Sequence, residues 1–324
     1  MTKVILVHEV GGPEQLRWET VSRPEPGPGE ARIRQTAVGL NFIDVYFRTG
    51  LYKAPKMPFT PGQEGAGVVE AVGPGVSEIA IGDRVAYAAS PGAYAEERVI
   101  AAQRLVKLPD GISDQTAAAI MLKGMTAEFL LRRCAHVQAG DTILFHAAAG
   151  GVGSLACQWA RALGARVIGT AGGPEKVRQA LANGCHEVIN YKSEDVVARV
   201  KELTGGAGVA WAFDSVGKST FMASLDSLRP RGMLALFGQS SGVVPPFEPS
   251  LLAARGSLFF TRPTLHHYIA TREELVASAQ ALFDIVLRGA VKVAIGKTYP
   301  LAEVASAHRA LEGRETTGST LLLP

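Results

Sequence analysis

Two rhythms of apolar and polar positions divide the chain. Up to about residue 110 the apolar residues come in short, β-leaning runs broken by Gly and Pro. "MTKVILVHEV" reads as a first strand. "VSRPEPGPGEARIRQTAVGL" is a Pro/Gly turn cluster followed by an alternating strand, Ala31 to Val38. "GAGVVEAVGPGV" and "GDRVAYAA" are further short strands joined by Gly turns. Strands at this spacing predict a compact, mainly-β, partly barrel-like domain. Near Asp110 the character changes. "PDGISDQTAAAIMLKGMTAEFLLRRCAHV" predicts a helix with Ser113 as its N-cap. Six apolar runs follow: "TILFHA", "ARVIGT", "HEVINY", "VAWAFDSV", "GMLALFG" and "SLFFTR". Helical patterns such as "GSLACQWARALG" and "PEKVRQALA" lie between them. Near-continuous apolar strands alternating with amphipathic helices predict a parallel sheet covered on both faces.

After Pro263 come an amphipathic helix ("TREELVASAQALFDIVLRG", with Thr271 as cap), a strand, a short helix and a last strand, "STLLLP". This tail is too small for a domain and is expected to return to the first one. The expected division is therefore residues 1–122 plus 264–324, with an α/β unit over 123–263 inserted.

Composition narrows the function classes. The 324 residues are 47% hydrophobic and 19% charged, a globular profile, and the formal charge is only +3. No Lys/Arg run forms a patch and no basic–aromatic stripe appears, which argues against nucleic acid as a partner. No apolar run is long enough for a bilayer, and the start lacks a signal core, so a soluble cytoplasmic protein is expected. Cys134, Cys157 and Cys185 are too scattered for a disulfide framework or a Cys-x-x-Cys site, and read as small apolar packing residues. The seven His form no spaced cluster. His266 and His267 are adjacent and, on a strand, would point to opposite faces.

The chemistry concentrates where the first strand of the alternation meets its helix, in "FHAAAGGVGSLACQWA". Ala148, Gly150 and Gly153 match the G-x-G-x-x-G dinucleotide fingerprint with Ala in the first place. Gly150 would let a pyrophosphate approach the backbone, Gly153 would let the helix pack closely, and Ala148 would take the tight turn. The N–H groups of Gly151, Val152 and Gly153 would open the helix toward the phosphates. With six strands following, the unit is expected to be a doubly wound Rossmann domain. The second strand ends in Thr170, Ala171, Gly172 and Gly173, with no carboxylate to hold an unmodified ribose, while Lys176 and Arg178 follow. That favours NADPH over NADH.

By its segment "FTPGQEGAGVVEAVGPGVSEIAIGDRV", its glycine turn and its inserted α/β domain, the chain resembles the medium-chain dehydrogenase/reductase superfamily, whose first domain is GroES-like. Zinc-dependent members carry Gly-His-Glu where this chain has Gly62, Gln63 and Glu64, and a ligand Cys where it has Asn41. Amide side chains are poor zinc ligands. The resemblance is to the zinc-free quinone oxidoreductase, or zeta-crystallin-like, branch, through "VGLNFIDVYFRTGLY", "LKGMTA", "VINY", "FDSVG", "TRPTL" and "TTGSTLLLP".

The resemblance implies NADPH-dependent reduction of a quinone without zinc. Reduction of an enone or alkenal on the same scaffold is the alternative, and a structural or RNA-binding role a third reading. It places Asn41 and Tyr46 beside the nicotinamide, with Tyr52 as an aromatic wall. Asn41 could bond the cofactor, the substrate carbonyl or a water, and Tyr46 could donate to a developing oxyanion. Without the resemblance, Asn41 reads as a turn or helix cap and the tyrosines as packing. For the cofactor it implies Thr126, Gly150 to Gly153, Lys176, Tyr191 and Arg314. Ser215, Phe237 and Gly238 join them as residues at the C-terminal ends of later strands, and Gly172 is expected at the cofactor although it and Gly173 stand where relatives commonly carry polar residues. Glu64 is left without a role beyond orienting a neighbour or pairing with an Arg. A homodimer is expected through the apolar edge strand Ser257 to Arg262.

Overall fold

The computed structural model describes residues 1–324, which fall into two compact units. The first comprises Met1–Met125, Ile269–Leu287 and Val293–Pro324, and the second Thr126–Tyr268 and Arg288–Lys292. The α/β unit is thus inserted in a mainly-β one.

In the first unit, β1 (Thr2–Leu6) and β2 (Arg17–Val21) form an antiparallel pair. β3 (Glu30–Leu40) leads into helix α1 (Phe42–Arg48). β4 (Glu64–Val72), β5 (Arg84–Ala88), β6 (Glu97–Ala101) and β7 (Val106–Lys107) follow, then helix α2 (Asp114–Glu128). Ser113 caps α2 as the sequence indicates, its Oγ accepting from the Thr116 N–H at 3.1 Å. The boundary between the units falls inside α2, which ends in a π-helical turn, Phe129–Cys134.

The second unit alternates strictly. β8 (Thr142–Phe145), α3 (Gly151–Ala162), β9 (Arg166–Ala171), α4 (Pro174–Ala182), β10 (Glu187–Asn190) and α5 (Val196–Leu203) come first. β11 (Val209–Asp214), α6 (Phe221–Asp226), β12 (Leu228–Leu236), α7 (Ser250–Ala254), β13 (Phe259–Thr261) and α8 (Leu265–Tyr268) complete it. All six strands run parallel, in the order β10-β9-β8-β11-β12-β13. The chain winds outward in both directions from β8 and β11, the doubly wound arrangement whose crevice for ligands lies at the carboxyl ends of the central strands.

Two local expectations need correction. The edge strand is three residues, not the six from Ser257 to Arg262, because Gly256 and Ser257 both turn through positive φ (95° and 58°). His266 and His267 lie not on a strand but in the single-turn helix α8, both exposed.

The tail returns to the first unit as α9 (Arg272–Leu287), β14 (Ile295–Pro300), α10 (Val304–Glu312) and β15 (Ser319–Leu323). Thr271 and Glu274 form a reciprocal capping box at the start of α9, with bonds of 3.1 and 3.2 Å. Leu275, Ala279, Leu282 and Phe283 make its buried stripe, the large apolar side chains contributing about 1.5–3 kcal/mol each. β15 pairs antiparallel with residues 38–40 of β3, and β14 runs parallel to β15. The sheet order is β14-β15-β3-β4-β5-β7, with β6 also on β3. No disulfide forms. Cys157 and Cys185 are buried, while Cys134 is only half-buried, so the packing reading fits the first two better than the third.

Candidate active site

The turn after β8 is built as a cradle. Its left-handed residue is Ala147 (φ 52°), one position earlier than the Ala148 expected from the fingerprint. Ala148 is instead fully buried and donates its N–H to Thr170 O at 3.0 Å, tying the turn to β9. Gly150 is the N-cap of α3 and closes the turn through a bond to Ala147 O of 2.9 Å. A Cβ on Gly153 would stand 2.4 Å from Ala147 O, so no side chain fits there while α3 packs on the turn after β8. A Cβ on Gly150 would meet that same oxygen at 3.1 Å and Ala147 Cβ at 4.0 Å, and open space otherwise. Space above Gly150 and the first helical N–H groups of Gly151, Val152 and Gly153 are what a pyrophosphate needs.

The end of β9 carries no carboxylate. A Cβ on Gly172 would lie 2.4 Å from Tyr191 Oη, so the phenol rests over the glycine backbone and the absence of a side chain makes room for it. Asn190 Oδ1 accepts from the Gly173 N–H at 3.0 Å and the Lys192 N–H at 3.3 Å, fixing the two loops together. Lys176, half-buried, sits in the first turn of α4. Glu175, the nearest acid in sequence, is paired with Arg178 on the exposed face. Beyond β11 and β12, Ser215, Phe237 and Gly238 meet. A Cβ on Gly238 would lie 2.6 Å from Ser215 O, and the Phe237 ring lies 5.9 Å from that of Phe145. Thr126 is half-buried in the last turn of α2, and Arg314 is exposed at a left-handed turn (φ 60°) after α10.

Beneath these strand ends runs a buried polar network that the sequence did not announce. His146 Nδ1 lies 3.0 Å from Thr170 Oγ1, and its Nε2 lies 3.1 Å from Ser224 Oγ. Ser224 and Thr220 donate to Asp214 Oδ2 at 2.8 and 2.7 Å, while Asp214 Oδ1 accepts from the N–H groups of Val216 and Gly217. Burial pushes the His146 imidazole below its ordinary range, which keeps it neutral. The Asp meets the Ser rather than the His, so this is a clamp across β8, β9 and β11, not a hydrolytic triad. The one available signal was an Asp ending an apolar strand in "FDSVG".

In the first unit, Asn41 is the N-cap of α1, as its residue type alone suggested. Its side chain makes other contacts. Nδ2 donates to Glu64 Oε1 at 2.7 Å, and the same oxygen receives Lys123 Nζ at 2.5 Å. Glu64 Oε2 accepts from the Leu122 N–H at 2.6 Å. Glu64 is fully buried and its partner is a lysine, not an arginine. The Asn41 N–H donates to Asp44 Oδ2 at 2.9 Å, which also receives the Tyr94 hydroxyl at 2.8 Å. Burial pushes the Asp44 carboxyl up to about 7, against the opposing hydrogen bonds from Tyr94 and Asn41. Tyr46 is buried on α1 with its ring 5.1 Å from that of Tyr52, whose N–H bonds Tyr46 O at 2.9 Å. The structure therefore brings Tyr46 and Tyr52 into contact and sets Asn41 at the N-cap of the helix that carries Tyr46.

No group of three or more His, Cys, Asp or Glu is placed to hold a metal ion. A ligating Asn would turn its oxygen to a cation, whereas Asn41 turns its nitrogen to a carboxylate.

Residues 27–110 match the alcohol dehydrogenase GroES-like domain and residues 151–283 the zinc-binding dehydrogenase domain. Over the full length of both chains, the sequence is 52% identical to a quinone oxidoreductase of Pseudomonas aeruginosa. The chain belongs to the quinone oxidoreductase branch of the medium-chain dehydrogenase/reductase superfamily. Within this branch, the structure of the Escherichia coli quinone oxidoreductase complexed with NADPH superposes with a TM-score of 0.98, at 46% identity over 99% of this chain and 100% of that one. A 2-haloacrylate reductase from a Burkholderia species is 46% identical over 100% of this chain and 99% of its own.

Proposed function

We propose that this chain is an NADPH-dependent quinone oxidoreductase that works without a metal ion. The observation that carries the reading is end-to-end similarity to quinone oxidoreductases, and the carboxylate-free end of β9 supports the phosphorylated nucleotide. Gly150, Gly151, Val152 and Gly153 would hold the pyrophosphate. Gly172, Lys176 and Tyr191 would hold the phosphorylated adenosine, with Thr126, Ser215, Phe237, Gly238 and Arg314 as further contacts. When bound, the cofactor supplies a hydride.

A quinone is already a strong acceptor, and its reduced oxygens are phenolate-like. The protein's task is then to orient the acceptor and stabilise one developing oxyanion, which a phenol can do. Tyr46 is our candidate for that donor and Tyr52 for the flanking wall. NADPH oxidation by a panel of quinones, with chelator present throughout, tests the reading. Turnover that requires stoichiometric zinc would overturn it.

Reduction of an activated double bond is the second reading, favoured by the 2-haloacrylate reductase relative. The same assay with 2-haloacrylates and enones beside the quinones separates the two by kcat/KM. We propose further that the protein is a cytoplasmic homodimer. No helix is long and apolar enough to cross a membrane. Phe259, 57% exposed on the edge strand β13, is suited to pair with its symmetry mate.

A further inference from the structure

Asn41 has two amide hydrogens, and the structure gives each a destination inside the protein. One goes to Glu64 Oε1 at 2.7 Å, and the other faces Gly39 O at 3.4 Å. Both neighbours are acceptors only, a carboxylate and a carbonyl, so the amide cannot be turned round without setting oxygen against oxygen. Glu64 is itself held from three directions. Lys123 Nζ and Asn41 Nδ2 meet at Oε1, the Leu122 N–H meets Oε2, and β3–β4 pairing sets Gly39 opposite Glu64. Glu64 is fully buried and Lys123 nearly so. At the start of α1 the Asn41 N–H donates to Asp44 Oδ2 and the Asp44 N–H bonds the Asn41 backbone carbonyl, so the capping contacts run through the Asn41 backbone and its side-chain oxygen keeps lone pairs to offer.

We propose that Glu64, anchored by Lys123, is a positioning residue that locks Asn41 as a hydrogen-bond acceptor, so that Asn41 reads a ligand hydroxyl and does not donate to the quinone carbonyl. The inference rests on the reading of Asn41 as a ligand contact given above. The hydroxyl comes either from a ribose of the nucleotide or from the reduced quinone. The oxyanion that develops on the acceptor takes its hydrogen bond elsewhere, which leaves that role to a donor such as Tyr46.

Three variants test this, each first checked for a native melting transition. Asn41→Leu removes donor and acceptor together. In Asn41→Asp the new carboxylate faces Glu64, and in the pair Asn41→Asp/Glu64→Gln the charge and the amide change places, keeping an acceptor but no donor at position 41. Asn41→Leu is expected to weaken ligand binding about tenfold or more, the size of a lost hydrogen bond with its partner left bare. The exchanged pair is expected to recover most of that loss, and Asn41→Asp alone is not. NADPH titration and inhibition by the hydroquinone product are measured separately. A loss in the first identifies a ribose hydroxyl, and a loss in the second identifies the reduced quinone.

If Asn41→Leu is impaired and the exchanged pair stays as poor, Asn41 donates and the proposal fails, while its place in the site stands. If folded Asn41→Leu binds both ligands normally, the site reading itself falls. Should the exchanged pair not fold, the Asn41 side-chain amide resonances of the wild-type protein decide. Both hydrogens are expected to keep their shifts and slow exchange on adding NADPH and then hydroquinone. A large ligand-induced shift of either one overturns the lock.

Discussion

Tyr94 donates its hydroxyl hydrogen to Asp44 at 2.8 Å inside the core of the first unit. With that hydrogen committed, the phenol oxygen accepts from His308 Nε2 at 3.1 Å, which leaves His308 Nδ1 as a buried nitrogen without a partner. One tyrosine thus joins a carboxyl that burial pushes up to about 7 to an imidazole that burial, then Arg48, pushes down to about 3.

The pH consequences of these two groups oppose each other. Asp44 keeps a proton in the folded protein that an unfolded carboxyl, near 3.9, has already lost. Its contribution is complete below about pH 4 and disappears as pH rises through about 7. His308 stays neutral where an unfolded imidazole, near 6.5, would be protonated. Its contribution is present above about pH 6.5 and lost as pH falls toward 3. Asp44→Asn is expected to leave the histidine slope unopposed, so that unfolding free energy rises by about 1.4 kcal/mol per pH unit from about 4 to 6.5. His308→Gln is expected to show the reverse slope. Urea unfolding at a series of pH values measures both, and parallel profiles for all three proteins would refute the assignment.

The two turn glycines are expected to fail differently. Gly153→Ala drives a Cβ against Ala147 O and is expected to destabilise the protein by about 1–3 kcal/mol or more, with the melting temperature falling accordingly. Gly150→Ala meets the same oxygen at 3.1 Å, a much milder contact, and is expected to lose less stability than Gly153→Ala while binding NADPH much more weakly. Melting curves with and without nucleotide distinguish the two.

Cofactor choice is expected to depend on Lys176. Losing a charge-assisted bond to a phosphate costs about 1.5–3 kcal/mol, so Lys176→Ala should lower kcat/KM with NADPH by about 10- to 100-fold and leave NADH use nearly unchanged. An equal loss with both nucleotides would place Lys176 elsewhere.

Ser224→Ala removes the link between His146 and Asp214, leaving a buried nitrogen and a carboxylate oxygen each short of a partner. A destabilisation of about 1–3 kcal/mol is expected, together with weaker NADPH binding, because the clamp holds the strand ends that carry the turn. Denaturant unfolding and nucleotide titration report the two effects.

If β13 joins two copies, Phe259→Lys is expected to give a monomer with unchanged melting of the second unit's core. Light scattering at micromolar concentration decides it.

What the sequence revealed follows from how local each feature is. The alternating strands and helices, the caps at Ser113 and Thr271, and the Gly153 packing contact all depend on residues within a few positions of one another, and pattern and residue type suffice. The Asn41–Glu64–Lys123 cluster was not legible, because it joins a helix cap, a strand start and a second helix across 23 and 59 positions of sequence. Glu64 stood out as a carboxylate without a purpose, but nothing near it pointed to Lys123. The His146 clamp was hidden for the same reason, its members lying on three strands' ends and one helix. The errors at Ala148 and at the edge strand came from backbone turns at Ala147 and Ser257, residue types that seldom adopt positive φ.

β3 holds β15 against residues 38–40, beside the cap of α1, and α10 supplies His308 to Tyr94 and Glu312 to the buried Arg48. A nascent chain leaving the ribosome therefore has every strand of its parallel sheet before it has the final strand its first unit requires. The inserted unit can condense during synthesis, whereas the mainly-β unit must wait for β15, with residues 38–40 of β3 unpaired on the side that β6 covers only at residues 30–34.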